Sequence, residues 1–159
     1  MTALETLVNH YATPLIPDTE GVYYFASPYT SDDAAQTQAW VQEMHVLKPR
    51  IINAYPRIVP LVPVLETDPL AETCDPEGGW YAFGLKLLNT AEGIIIVLQD
   101  GWQHSRGIML EFGFARGKGL PIATLDPNSI DADVGITVKN ATDSTPSYTE
   151  ADIIKQMES

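Results

Sequence analysis

The sequence predicts a three-layer α/β fold of the flavodoxin or Rossmann-like kind, with a parallel sheet of about five strands. Two observations carry this expectation. Gly93–Leu98 (GIIIVL) is an uninterrupted apolar, β-branched run, the pattern of a strand covered on both faces. Strand-like and helix-like segments also alternate along the chain, as βαβ units do. With 159 residues, the chain is long enough for one domain with its own core.

Residues 1–20 are expected to form an N-terminal extension with a short helix, Ala3–Tyr11, ended by Pro14 and Pro17. Val22–Ala26 (VYYFA) reads as the first buried strand, broken by Ser27-Pro28. Alternation assigns Tyr23 and Phe25 to one face and Tyr24 and Ala26 to the other. Thr30 or Ser31 is positioned to cap a helix from Asp32 to about Ile52, and Pro49 is expected to kink or end it. Ile58–Val64 (IVPLVPV) has strand composition, and its two prolines assign it to an edge or a strand end. Glu66–Gly79 reads as a loop. Trp80–Thr90 has helical apolar spacing at Trp80, Phe83, Leu87 and Leu88. After GIIIVL, Asp100–Ser105 forms a loop. Ser105 or Gly107 then opens a helix through Ala115, closed by Gly117 and Gly119. Pro121–Leu125 is a further strand. Residues 127–159 form an acidic, turn-rich C-terminal segment with a last short helix from about Thr149.

The formal net charge of -12 argues against binding a nucleic acid polymer or an anionic membrane surface. The single cysteine, Cys74, rules out a disulfide within the chain. His10, His45 and His104 lack metal-ligand spacing, so no metal site and no cofactor are expected. The start of the chain does not read as a signal peptide, and the longest apolar run is too short to span a bilayer. A cytoplasmic protein is the expectation.

In folds of this class ligands bind at the carboxyl ends of the strands. Two loops fall there: the one opened by Ala26, Ser27 and Pro28, and the one from Gln99 to Gly107. The second runs from a buried strand into a helix and carries Gly101, Ser105 and Gly107, a cradle suited to an anion or a sugar hydroxyl. Glu111 follows about a turn and a half into the helix, between Met109-Leu110 and Phe112. Its carboxylate either lies on a thin solvent face or is held inward for a purpose. Tyr23 and Tyr24 serve either as core residues or, near a strand's carboxyl end, as donors to a carboxylate across the site. Trp102 and Trp80 either stack on a ligand ring or pack in the core or rim. His104 and Arg106 are loop residues next to Ser105, and solvated positions suit both.

These residues resemble the nucleoside 2-deoxyribosyltransferase family and its relatives, the deoxynucleoside 5'-monophosphate N-glycosidases. The likeness covers roughly residues 22–125 and rests on two motifs. The first is Tyr24-Phe25-Ala26-Ser27-Pro28. The second is Ser105, Gly107, Glu111, Gly113, Ala115, Gly117-Lys118-Gly119 and Pro121 in that order and spacing. The resemblance implies that Glu111 attacks the anomeric carbon to form a covalent deoxyribosyl-enzyme, with Tyr24 as hydrogen-bond donor to the carboxylate. It also implies that Ala26, Ser27, Pro28, Trp102, Ser105 and Gly107 border the substrate. The transferases usually carry Asp where this chain has Ser105, and the monophosphate hydrolases carry Ser there, so Ser105 leans towards a phosphate-tolerant site. The chain departs from the family at Gly84, where a carboxylate that assists the leaving base is common; Asp75 or Glu77 is the candidate substitute.

The implied substrates are deoxynucleosides or deoxynucleotides together with free nucleobases. The implied assembly is a homo-oligomer, with Asn140 and Tyr148 as candidates for contribution to a neighbouring site. Three other readings stand beside transfer: hydrolysis of deoxynucleoside monophosphates, a catalytically silent nucleotide-binding module, and an NAD-consuming domain. The last is disfavoured because no Gly-x-Gly-x-x-Gly follows the first strand.

Overall fold

A computed structural model describes residues 1–29, 31–67 and 81–130. Its centre is a five-stranded, all-parallel sheet: β1 (Thr13–Pro14), β2 (Gly21–Ala26), β3 (Ile58–Leu61), β4 (Gly93–Val97) and β5 (Ile122–Leu125), in the order β1-β5-β4-β2-β3. Helices cover both faces. On one side α2 (Ala34–Ala54) and α3 (Pro63–Thr67) bury Met44, Leu47, Ile51 and Val64 against Phe25, Ile95 and Val97. On the other, α1 (Ala3–Tyr11), α4 (Tyr81–Thr90) and α5 (Arg106–Gly117) bury Leu4, Val8, Leu88, Ile108 and Phe112 against Tyr24, Ala26, Ile94 and Ile96. The three-layer α/β expectation holds. So does the alternation along β2, because Phe25 and Tyr24 enter opposite cores.

β4 is buried at all five positions, which is why it reads as an apolar run without alternation. Its start is latched to β2. The Glu92 backbone amide donates to the Val22 carbonyl at 2.7 Å, and the Glu92 carboxylate accepts from the Val22 amide at 2.6 Å. Gly21 faces that carboxylate with φ of +125°, so any side chain there would collide with it in a strained backbone.

Four boundaries differ from the sequence expectation. The N-terminal segment is part of the fold, since β1 extends the sheet beside β5 and α1 enters the core. Two residues are too few to show a strand period, and Pro14 is tolerated because β1 is an edge. α2 runs through Pro49 to Ala54, although that residue lacks the amide that would donate to the His45 carbonyl. Packing of Leu47 and Ile51 on either side of the proline holds the helix together. The α2 cap is Asp33, whose carboxylate accepts from the Ala35 amide at 2.9 Å, while Ser31 accepts from the Asp33 amide. Finally, the apolar run 58–64 divides. Leu61 ends the edge strand β3, and Pro63 opens α3, where a missing amide costs nothing. The C-terminal segment from residue 131, including the expected last helix, lies outside the described residues.

No helix among the described residues is long and apolar enough to cross a membrane.

Candidate active site

β2 presents Tyr24 towards the α1, α4 and α5 layer, where it is 3% exposed. α5 presents Glu111 to the same place. Its N-terminus is set by Ser105, whose hydroxyl accepts from the Ile108 amide at 3.2 Å. Ile108, Phe112 and Ala115 form the buried stripe of α5, and Glu111 lies at its margin beside Phe112. The whole residue is half-buried, but its Oε2 atom is fully buried and has no hydrogen-bond partner. The Tyr24 hydroxyl donates to the Glu111 carboxylate.

α4 completes the arrangement with Gly84. A Cβ at this position would stand 3.2 Å from the Tyr24 hydroxyl oxygen. The position the sequence singles out for its missing carboxylate therefore adjoins Tyr24 of the Tyr24–Glu111 pair, and a side chain there would crowd the hydroxyl.

Desolvation dominates the electrostatics. Burial pushes the Glu111 carboxyl up to about 8, and the smaller, opposing effect is the Tyr24 hydrogen bond to the charged form. The Tyr24 phenol is raised well above its ordinary value by its own burial and then by the adjacent Glu111 charge, so it stays a donor. One tyrosine is too little to keep Glu111 ionised at neutral pH in the free protein. A further donor to Oε2, such as a sugar hydroxyl, is the kind of group that would lower it.

The remaining expected residues separate into three groups. Ala26, Ser27 and Pro28 leave β2 at its carboxyl end and are all buried, the Ser27 hydroxyl without a partner. Ser105 and Gly107 lie half-buried in the first turn of α5, on the loop that leaves β4, while His104 and Arg106 are exposed. Trp102 takes the packing alternative. It is 8% exposed and sits in the core cluster with Leu4, Val8 and Ile108, within a short 3-10 turn, Trp102–His104. Its ring supports the loop instead of standing free to stack on a ligand. Asp75, Glu77, Trp80, Cys74, Asn140 and Tyr148 lie outside the described residues.

Two residues at the same edge escape a sequence reading. Gln99 is 1% exposed and donates through Nε2 to the Trp40 carbonyl at 3.1 Å. Trp40 in turn donates from Nε1 to the Asp100 carbonyl at 2.9 Å, clamping the turn after β4. Gly101 follows with φ of +87°, a left-handed step that turns the chain into Trp102. The available signal was a polar side chain directly after a fully apolar strand. No three metal-ligating side chains come together among the described residues. Comparison with protein-family models and with curated proteins finds no match to this chain.

Proposed function

We propose that this protein is an N-glycosyl transferase of the nucleoside 2-deoxyribosyltransferase type, moving 2-deoxyribose between nucleobases through a covalent ester on Glu111. The observation that supports it is the buried Tyr24–Glu111 pair, with one carboxylate oxygen left unpartnered and the Tyr24 hydroxyl set close against Gly84. In the first step the ionised Glu111 attacks the anomeric carbon. The C–N bond breaks, and its electron pair leaves with the base, which takes up a proton. In the second step a nitrogen of another base displaces the ester, releases its proton and returns the carboxylate. Tyr24 orients the carboxylate and favours its charged form.

The raised carboxyl gives this mechanism a pH signature. The nucleophile is the ionised form, so kcat/KM rises about tenfold per pH unit up to about 8 and levels above it. A sugar hydroxyl donating to Oε2 lowers the carboxyl in the complex, so the limb of kcat lies at lower pH than that of kcat/KM. The deciding experiment incubates a deoxynucleoside or its monophosphate with a second free base. A new nucleoside identifies the transferase. Free sugar or sugar phosphate alone identifies the alternative, a deoxynucleoside 5'-monophosphate N-glycosidase, in which water takes the place of the second base. If neither product forms and Glu111→Ala changes nothing measurable, the enzymatic reading fails.

A second reading, a catalytically silent nucleotide-binding module, is favoured by the protonated state of Glu111 at neutral pH and by the absence of a side chain at Gly84. Calorimetric binding of nucleotides without turnover up to pH 9 would select it. Deoxynucleosides or deoxynucleotides and free bases are the proposed ligands in either case, and a homo-oligomer is the proposed assembly.

A further inference from the structure

Three buried polar atoms outside the Tyr24–Glu111 pair lack partners, on Ser27, Gln99 and Gln103, and the first two stand where strands leave the sheet. Ser27 follows the last residue of β2 and is 7% exposed; Gln99 stands just beyond the end of β4 and is 1% exposed. The Ser27 hydroxyl and Gln99 Oε1 have no hydrogen-bond partner. β2 and β4 are parallel neighbours, with Ala26 paired to Ile96, so both residues leave the same end of the sheet. From β2 the chain passes outward to β3, then returns across it to β4 on the other side. This reversal point is where an open α/β sheet opens a ligand crevice at its carboxyl edge.

A buried hydroxyl or carboxamide oxygen without a partner is costly and uncommon. The two atoms also have defined chemistry. Gln99 Nε2 is held by the Trp40 carbonyl, and exchanging the amide ends would set carbonyl against carbonyl. Oε1 is therefore a fixed acceptor, which requires an N–H or O–H from its partner. The Ser27 hydroxyl can donate or accept. The clamp of Trp40 on Asp100 holds the turn that carries Gln99.

We propose that Ser27 and Gln99 form a recognition subsite for the amide or amidine edge of a nucleobase. A base N–H donates to Gln99 Oε1, and the Ser27 hydroxyl donates to the neighbouring carbonyl oxygen or ring nitrogen. Naming a nucleobase rests on the glycosidic reading of Glu111; the need for a donor-acceptor edge does not.

The test is calorimetric binding to the full-length protein carrying Glu111→Gln, which cannot form the ester. The probes are matched pairs: deoxyuridine against 3-methyldeoxyuridine, and deoxyadenosine against N6,N6-dimethyldeoxyadenosine. In the pair that the subsite accepts, loss of the N–H weakens binding about tenfold. Adding Ser27→Ala weakens the unmethylated member by a similar factor and leaves the melting temperature equal or higher, because the hydroxyl has no bond within the fold to lose. Equal affinity across both pairs, no binding by any probe, unchanged affinity in Ser27→Ala, or a Ser27→Ala protein that melts lower or does not fold each overturns the proposal. Turnover by the unsubstituted protein together with equal affinities removes the subsite and leaves the glycosidic reading standing. Discrimination within a pair, without any glycosidic cleavage, does the reverse.

Discussion

Glu111 is half-buried as a residue and fully buried at Oε2, and that difference decides its chemistry. The folded protein holds the proton up to about 8, whereas an unfolded chain releases it near the ordinary value of 4.5. Between those two points the unfolded state binds fewer protons than the folded state, so the stability contributed by this group falls as pH rises and levels off above 8. Glu111→Gln cannot titrate. Its melting temperature is expected to match that of the parent near pH 4.5 and to exceed it progressively up to pH 8, by an energy on the order of a few kcal/mol. A difference that stays constant with pH would show that the carboxyl is not desolvated. Tyr24→Phe removes the group that favours the charged form, so any activity limb moves to higher pH in that variant, as a pH-rate profile would show. The candidacy of Glu111 and Tyr24 was legible in their spacing and strand position. The ionisation of Glu111 was not, because it depends on residues distant in sequence that exclude water from the carboxylate.

At the scale of elements, Ser105 both caps α5 and occupies the loop after β4. Aspartate is an equally good N-cap and complements the helix dipole, so Ser105→Asp is expected to keep the melting temperature within the error of a cap exchange. The same carboxylate repels a 5'-phosphate, so this variant should lose affinity for deoxynucleoside monophosphates about tenfold or more while retaining nucleosides, measured by calorimetry. Equal loss for both ligand classes would remove Ser105 from the phosphate question. The β2–β4 latch makes a separate prediction. Gly21→Ala places a Cβ against the Glu92 carboxylate in a left-handed backbone and is expected to cost about 2–3 kcal/mol in denaturant unfolding. The caps and strands at this scale follow local chemistry, and most were legible. Four were not: the α2 cap at Asp33, the division of the 58–64 run at Pro63, α2 continuing past Pro49 instead of ending there, and the two-residue β1, of which the last two are held by packing that local preference does not contain.

For the whole molecule, α1 couples the start of the chain to the loop beside the candidate site. The Thr2 hydroxyl donates to the Gln103 carbonyl at 3.1 Å, and Leu4 and Val8 bury one face of the Trp102 cluster. Leu4→Ala is expected to destabilise the fold by about 2–5 kcal/mol and, through the opened packing, to shift tryptophan emission to longer wavelength. Destabilisation without an emission change would mean that the Trp102 environment does not depend on α1. The same contacts explain why Trp102 supports the site from below instead of lining it.

The sequence by itself determined the fold class, the assignment of Tyr23 with Phe25 and of Tyr24 with Ala26 to opposite faces, and a helix start at Ser105 or Gly107, of which the structure takes Ser105. Each follows from a period or a cap confined to a few adjacent residues. Only the tertiary structure decided that α4 brings Gly84 against the Tyr24 hydroxyl, that Trp102 belongs to the core, that Glu111 keeps its proton at neutral pH, and that Ser27 and Gln99 lack partners. The physical reason is common to all four. Hydrogen-bond satisfaction and desolvation are set by which distant elements close over a side chain, and strand order, not local pattern, chooses those elements.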